Sequence, residues 1–224
     1  SIMHVGAIST ESAVRGARAA KESGCDAICC VPPFFFRASD DSVVEHYKRV
    51  VDAADGLPFF VYNLPQLTQV ETTPPLMEKI VRNVPNVMGL KHSAPNFADI
   101  RVFANMGLKC FSGNGLLPLP ALTMGAVGTV DAPLSIAPWH YTALFDAWER
   151  GDMETASRLQ DEVVKIVDIV RMFGAPAAVT KLILSERLGI DCGRPIPPVA
   201  DLTDEQRVVV LDAARDAGLL QAPA

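Results

Sequence analysis

The sequence predicts an α/β fold of the (β/α)8-barrel type, with six βα units followed by a C-terminal helical tail. Short apolar runs alternate with amphipathic helical stretches, and the connections between them are only a few residues long. This rhythm is typical of parallel βαβ units. The runs are apolar throughout instead of alternating, as expected for strands buried on both faces.

Six apolar runs are the predicted strands. In chain order they are "IMHVGA" (2–7), "DAICCVPPF" (26–34), "PFFVYNL" (58–64), "NVMGLKHS" (86–93), "LKCFSGN" (108–114) and "GTVDAPL" (128–134).

Amphipathic stretches between the runs are the predicted helices. The first begins at Thr10, its predicted cap, and ends at Gly24. The second ends at Gly56, and the "TPPLMEKIVRNVP" helix opens with proline in its first turn. "PNFADIRVFANMG" and "LPLPALTMGA" follow. Three further helical stretches form the tail, so we expect a partial barrel over 1–150 and helices packed on it over 151–224.

Two architectures fit the strand–helix rhythm. An open doubly wound sheet would carry a Gly-rich phosphate loop after its first strand, but "VGAIST" lacks the G-x-G-x-x-G pattern. The sequence therefore favours the barrel over an open-sheet nucleotide binder. A closed barrel of this type has eight strands, and the sequence supplies six.

Composition restricts the class of protein. With 49% hydrophobic residues and 21% charged residues, a sizeable core is expected. The net charge of −6, without a basic cluster, argues against a nucleic-acid partner. No apolar run approaches the length of a membrane span, and the first ten residues lack the features of a secretory leader. We expect a cytoplasmic protein.

The cysteine and histidine patterns predict no metal site. The five cysteines are odd in number and fit no zinc motif, and the four histidines show no ligand spacing. We therefore expect reduced core thiols, no metal and no cofactor.

Catalytic residues of barrels lie at the carboxyl ends of their strands, where Lys91 and Tyr62 are the notable titratable side chains. They end neighbouring predicted strands, and adjacent strands lie roughly 5 Å apart, so the phenol hydroxyl is expected to approach the amine. A neutral lysine amine forms an imine with a ketone, and a neighbouring tyrosine can relay the protons. His92 should point away from the barrel centre, and Asn63 should fix the loop after Tyr62.

The motifs "VYNLPQLT" (61–68) and "NVMGLKHS" (86–93) together resemble the dihydrodipicolinate synthase / N-acetylneuraminate lyase family of class I, Schiff-base aldolases. The family shows a Y-N-x-P strand end and, one unit later, a G-x-K strand end. "CVPPFFFRAS", "HVGAIST", "FSGNG" and "MGAVGTV" resemble its fourth, third, seventh and eighth strands, and the tail matches too, so the resemblance covers almost the whole chain.

The resemblance implies roles for named residues. Lys91 would form the Schiff base with pyruvate, Tyr62 would relay protons, and Val130 would lie beside the keto acid through its backbone. Asp131 is a candidate polar contact in the pocket. The remaining substrate-binding candidates stand in the matching motifs: Leu67, Thr68 and Gly113. The family's homotetramers imply a homo-oligomer, either tetramer or dimer.

Departures from the family pattern bear on completeness and on substrate. The first two βα units and the G-[ST]-T-G-E loop that binds the keto-acid carboxylate have no counterpart in this sequence, which indicates either a truncated chain or an unusual assembly that covers the gap. Leu67 stands where the synthase has an arginine, and Phe34 and Phe35 replace a tyrosine pair. Gly115 and Ala132 replace polar residues of a sialic-acid site.

These departures favour reversible cleavage of a 2-keto-3-deoxy sugar acid to pyruvate and an aldehyde. Two alternatives stay open at this point. One is a condensation like that of dihydrodipicolinate synthase. The other is a truncated, non-catalytic homologue that binds partner chains.

Overall fold

The computed structural model describes residues 1–221 and contains one six-stranded sheet whose strand order follows the chain, β1 to β6. Neighbouring strands pair in parallel from β1 through β5. The strands are β1 (Ile2–His4), β2 (Ala27–Cys30), β3 (Phe59–Asn63), β4 (Val87–His92), β5 (Lys109–Ser112) and β6 (Gly128–Thr129). Each lies inside one of the six predicted runs, although β6 has only two residues.

Eleven α-helices connect and follow these strands in the described part of the chain. They are α1 (Thr10–Glu22), α2 (Asp40–Ala53), α3 (Pro65–Thr68), α4 (Pro74–Asn83), α5 (Asp99–Asn105), α6 (Pro118–Thr123), α7 (Pro133–Ile136), α8 (Pro138–Glu149), α9 (Met153–Val170), α10 (Pro176–Leu188) and α11 (Asp204–Asp216). Among residues 1–221, no helix combines the length and apolar character needed to cross a membrane.

The helix ends follow from local chemistry. Helix α1 is capped by Ser9, whose hydroxyl accepts a hydrogen bond from the Ser12 amide. Thr10 is thus the first helical residue and not the cap. The chain leaves α1 through Gly24 at φ +72° and leaves α2 through Gly56 at φ +83°. Glycine adopts this left-handed backbone without a steric cost, which explains both predicted ends.

The sequence did not predict α3, α7 or α8. Helices α3 and α7 are single turns of four residues that start at proline. Helix α8 is long, but apolar and aromatic residues are spread around it, so the period of one buried face is weak.

The chain forms two compact units. The first comprises residues 1–113 and 123–128, and the second comprises 114–122 and 129–224. The boundary at residue 150 predicted from sequence stays a prediction. In the first unit, α1 and α2 cover one face of the sheet, and the Tyr47 ring packs 5.1 Å from that of Phe59. In the second, α8 pairs with α9 over a core that includes Tyr141, Leu144 and Val163.

A bulge between β3 and β4 sets the register of the two strands. Phe59 is opposite Val87, but Phe60 is opposite Gly89, so Met88 is an extra residue in β4. A slip of one residue moves every later side chain to the other face of a sheet. Without this extra residue in the pairing, Tyr62 would pair with Leu90. The Lys91 side chain would then lie on the sheet face opposite to that of Tyr62.

Candidate active site

Tyr62 and Lys91 lie directly opposite each other at the carboxyl ends of β3 and β4. They belong to the sheet face that carries Phe60 and Phe111, whose ring centroids are 5.7 Å apart. Both side chains are half-buried. The sheet therefore brings the two predicted catalytic residues together within one compact unit.

The lysine amine contacts the face of the tyrosine ring. Lys91 Nζ lies 4.2 Å from the centroid of the Tyr62 ring, a distance typical of a cation–π contact. The sequence led us to expect the amine near the phenol hydroxyl instead. Strand spacing predicts that the residues meet, but not which part of the ring the flexible lysine stem reaches.

His4 lies beside the same tyrosine, at the end of β1. Its ring meets the Tyr62 ring edge-on, with centroids 5.7 Å apart and planes at 84°. Partial burial, and then the positive charge of Lys91, lower the pKa of His4 below that of an ordinary histidine. The imidazole is therefore neutral at pH 7. Sequence reasoning assigned no role to His4, although it lies in the first predicted strand.

A buried hydrogen-bond network holds the ends of β3 and β4 from the opposite sheet face. Asn63 Nδ2 donates to the Thr72 carbonyl at 3.1 Å, and the Thr72 amide donates to Asn63 Oδ1 at 2.9 Å. This pairing fixes the loop after Tyr62, as predicted. Asn63 Nδ2 also lies 3.2 Å from His92 Nδ1, which therefore accepts.

This assignment leaves the proton of His92 on Nε2, 2.9 Å from the Asn96 carbonyl that accepts it. His92 is buried and points away from Lys91 along the alternating strand, as the sequence predicted. Burial lowers its pKa, so His92 is a neutral structural link.

Ser93 and Gly113 border the lysine. The Ser93 amide donates to the Asn63 carbonyl at 2.9 Å, yet its buried hydroxyl has no hydrogen-bond partner within residues 1–221. A Cβ added to Gly113 would fall 1.8 Å from Ser93 Oγ and 3.1 Å from Lys91 Cε. The missing side chain at Gly113 thus leaves room for both groups. Ser93 was missed from sequence, although it follows Lys91 by two residues and shares its face.

Leu67 and Thr68 lie in α3, directly after β3. Leu67 is 71% exposed and offers an apolar side chain at the position where the resemblance expects an arginine. Thr68 is buried, and its hydroxyl donates to carbonyls of the same loop, those of Leu64 and Val70, both at 3.0 Å. These bonds favour a loop-fixing role for Thr68. Its contact with substrate stays a prediction.

Val130 and Asp131 belong to the second compact unit. Val130 is 43% exposed. Asp131 accepts a hydrogen bond from the Gly115 amide at one carboxylate oxygen and from the Ala132 amide at the other, each at 2.8 Å. The Gly115 carbonyl in turn accepts the Tyr141 hydroxyl proton at 2.8 Å. Asp131 therefore fixes the loop at Gly115, while its role as a substrate contact stays a prediction.

The five cysteines are all free thiols. Burial raises the pKa of Cys29 and of Cys110 to about 12, which keeps both protonated. Among residues 1–221, no group of three His, Cys, Asp or Glu side chains could hold a metal ion.

Comparison with known proteins establishes the family. The model of the dihydrodipicolinate synthetase family matches residues 1–217. The N-acetylneuraminate lyase of Salmonella paratyphi B is 32% identical over 216 residues, which cover 95% of this chain and 71% of the lyase. The chain belongs to the dihydrodipicolinate synthetase family and spans about 71% of the length of this relative.

Solved structures agree with this assignment. The wild-type sialic acid aldolase of Ruminococcus gnavus superposes with a TM-score of 0.91 and 29% identity, covering 97% of this chain and 74% of that chain. A second structure of the same aldolase is a catalytic lysine mutant, with a TM-score of 0.92 and 28% identity. A dihydrodipicolinate synthase from Aquifex aeolicus shares the fold, with a TM-score of 0.87. The six parallel units are therefore an α/β fold of the TIM-barrel kind.

Proposed function

We propose that the protein is a class I, pyruvate-dependent aldolase that reversibly cleaves a 2-keto-3-deoxy sugar acid to pyruvate and an aldehyde. The observation that carries the proposal is the Lys91 amine, held at the carboxyl edge of the sheet against Tyr62. The relatives named N-acetylneuraminate lyase and sialic acid aldolase support a carbon–carbon lyase, and the latter has a catalytic lysine.

Lys91 supplies the covalent step. Its neutral amine adds to the keto carbon, the carbonyl oxygen leaves as water, and the nitrogen keeps a proton as an iminium. The bond between the third and fourth carbons of the substrate then breaks, and its electron pair moves into the iminium to give an enamine. Protonation of that enamine and hydrolysis release pyruvate and restore the amine.

Tyr62 moves protons in this scheme. Dehydration needs a proton donated to the departing oxygen, and cleavage needs a proton removed from the substrate hydroxyl that becomes the aldehyde. The position of the half-buried Tyr62 beside the amine supports this role. The Ser93 hydroxyl, unpartnered in the described residues and bordered by Gly113, is proposed to bind an oxygen of the keto acid.

The preference for a sugar acid with a single carboxylate rests on Leu67. A dicarboxylic product needs a cation near the end of β3, and Leu67 presents an exposed apolar side chain there. This disfavours a condensation like that of dihydrodipicolinate synthase. Thr68 is the further substrate contact proposed in the first unit. Val130, through its backbone, and Asp131, as a polar contact, stay separate proposals for the second unit.

We place this aldolase in the cytoplasm as a homo-oligomer and regard its six units as part of an eight-unit barrel. The free cysteines support a reducing compartment. The adjacent Phe35 and Phe36 rings, 71% and 76% exposed, support burial against a second copy. Sedimentation equilibrium measures the oligomeric state directly.

The test is pyruvate release from a panel of 2-keto-3-deoxy sugar acids, with N-acetylneuraminate included. The unmutated protein and Lys109→Met, which changes an exposed strand lysine, should release pyruvate at equal rates. Lys91→Met should release none. Release from N-acetylneuraminate alone would narrow the substrate, and release by Lys91→Met would overturn the proposed role of the lysine.

A further inference from the structure

Three side chains from separate strands form a continuous stack at the carboxyl edge of the sheet. The imidazole of His4 packs edge-on against the Tyr62 ring, and Lys91 Nζ lies over the ring face at 4.2 Å. We call this arrangement the His4–Tyr62–Lys91 stack. The proposed function uses the tyrosine hydroxyl and leaves both the ring face and the histidine unexplained.

The backbone provides the space that the stack needs. His4 lies opposite Cys29, so its side chain belongs to the sheet face that carries Tyr62. A Cβ on Gly6 would fall 2.7 Å from His4 Nε2, so the glycine leaves room for the imidazole. The lowered pKa of His4 keeps its ring uncharged, and a neutral ring does not repel the nearby cation.

We propose that the Tyr62 ring, held in orientation by His4, is a π platform that favours the protonated iminium formed on Lys91 over the neutral imine. The inference rests on the proposed aldolase function and deepens it. The iminium formed with pyruvate is a cation, whereas the carbinolamine and the deprotonated imine are neutral. A ring face attracts the cation only.

The charge matters because the iminium, and not the neutral imine, accepts the electron pair of the breaking carbon–carbon bond. In forming it, the neutral amine bonds to the keto carbon, and the carbonyl oxygen leaves as water with one proton from the amine and one donated by the Tyr62 hydroxyl. One proton stays on the nitrogen. The ring face stabilises the nitrogen that carries this remaining proton. This effect on the iminium is separable from proton relay by the tyrosine hydroxyl.

The experiment measures the protonated iminium directly. The protein is equilibrated with saturating pyruvate, and cyanoborohydride, which reduces iminium ions in preference to neutral imines, is then added. The initial rate of adduct formation on Lys91 is read by mass spectrometry. Equilibration first removes any effect of a slower proton relay on the amount of imine.

Tyr62→Phe keeps the ring and should trap within about 2-fold of the unmutated protein. Tyr62→Leu removes the ring and should trap roughly 2- to 30-fold more slowly, the range expected for a lost cation–π contact. Phe60→Leu replaces a neighbouring aromatic residue on the same sheet face. It controls for a general loss of packing around Lys91. Equal rates for the Phe and Leu variants would overturn the platform.

His4 is tested through its dependence on the ring. As a single substitution, His4→Ala should slow trapping. Added to Tyr62→Leu, it should have no further effect. His4→Phe should trap at the rate of the unmutated protein, because it keeps an edge contact with the Tyr62 ring. Met3→Ala controls for the stability of β1. A loss of equal size in both backgrounds would overturn the positioning role.

Denaturation midpoints, measured on every variant, show that each one compared is folded. Absence of any adduct in the folded, unmutated protein would defeat the proposed function itself. If the unmutated protein forms the adduct but Tyr62→Phe and Tyr62→Leu trap at equal rates, the proposed function stands and the π platform is wrong.

Discussion

At the scale of single residues, the site depends on the absence of a side chain at Gly113. Its missing Cβ leaves the space that Ser93 Oγ and Lys91 Cε occupy. Glycine is common after a strand, so the sequence alone does not show why position 113 needs it. The need is evident only from the side chains of the neighbouring strand.

Gly113→Ala should therefore damage the site. The new Cβ overlaps Ser93 Oγ and crowds Lys91 Cε, so we expect imine formation to fall at least tenfold and stability to fall by about 1–3 kcal/mol. Pyruvate trapping and urea denaturation measure the two effects. The double variant Gly113→Ala/Ser93→Gly removes the overlapping side chain and should regain stability; no recovery would show that the overlap is not the cause.

Tyr62→Phe tests the hydroxyl without removing the ring. Loss of a proton relay should lower kcat by roughly 10²- to 10⁴-fold while pyruvate still forms its adduct on Lys91. Steady-state kinetics with the substrate found in the panel provide the measurement. An unchanged kcat would transfer the relay to another group, with the Ser93 hydroxyl as the next to be tested.

At the scale of the elements, the bulge at Met88 decides which face Lys91 occupies. Next to the bulge, Gly89 lets β5 approach closely, because a Cβ there would lie 1.9 Å from the Lys109 carbonyl oxygen. The close approach of β5 therefore requires glycine at this position of β4.

Gly89→Ala should consequently break the β4–β5 pairing beside the catalytic lysine. Overlap with backbone cannot be relieved by a rotamer change, so we expect a loss of about 3 kcal/mol or more, together with loss of the Lys91 adduct. Gly128→Ala, whose Cβ would meet only Phe111 ring atoms at 3.4 Å or more, is the matched control. Equal stability of the two variants would contradict the requirement for glycine where β5 approaches β4.

Elements and site differ in how far the sequence predicts them. Six strands, the helices other than α3, α7 and α8, and the pairing of Lys91 with Tyr62 follow from apolar runs, helical periods and strand ends. Alternation placed His92 correctly, and the loop-fixing hydrogen bonds of Asn63 were also predicted. The bulge was not predictable, because one extra residue in a pairing leaves no trace in composition. The orientation of the Tyr62 ring, and the contacts of His4 and Ser93, depend on packing between strands distant in sequence.

At the scale of the whole molecule, buried histidines couple stability to pH. His46 lies between Thr10 Oγ1 at 3.0 Å and Cys30 Sγ at 3.5 Å, and it is 2% exposed. Burial, and then the Arg49 charge, lower its pKa to about 4, while Glu11 acts weakly in the opposite direction. His92 shifts in the same direction.

The sign of the pH dependence follows from these shifts. Between about pH 6.5 and 4 the unfolded chain binds a proton at position 46 that the folded chain does not, so stability falls as the pH falls. For His46 the full loss is about 3 kcal/mol. Urea midpoints from pH 7.5 to 4 should decrease, and the decrease should be smaller in His46→Gln. An equal decrease in that variant would contradict the assignment.

The central claim is that Lys91 is the nucleophile, and reductive trapping tests it most directly. The protein is incubated with pyruvate and borohydride, which converts the imine to a stable amine, and the modified peptide is mapped by mass spectrometry. The account predicts one adduct, on Lys91, that is lost in Lys91→Met and retained in Lys109→Met. A folded protein without an adduct, or with its adduct on another lysine, would contradict it.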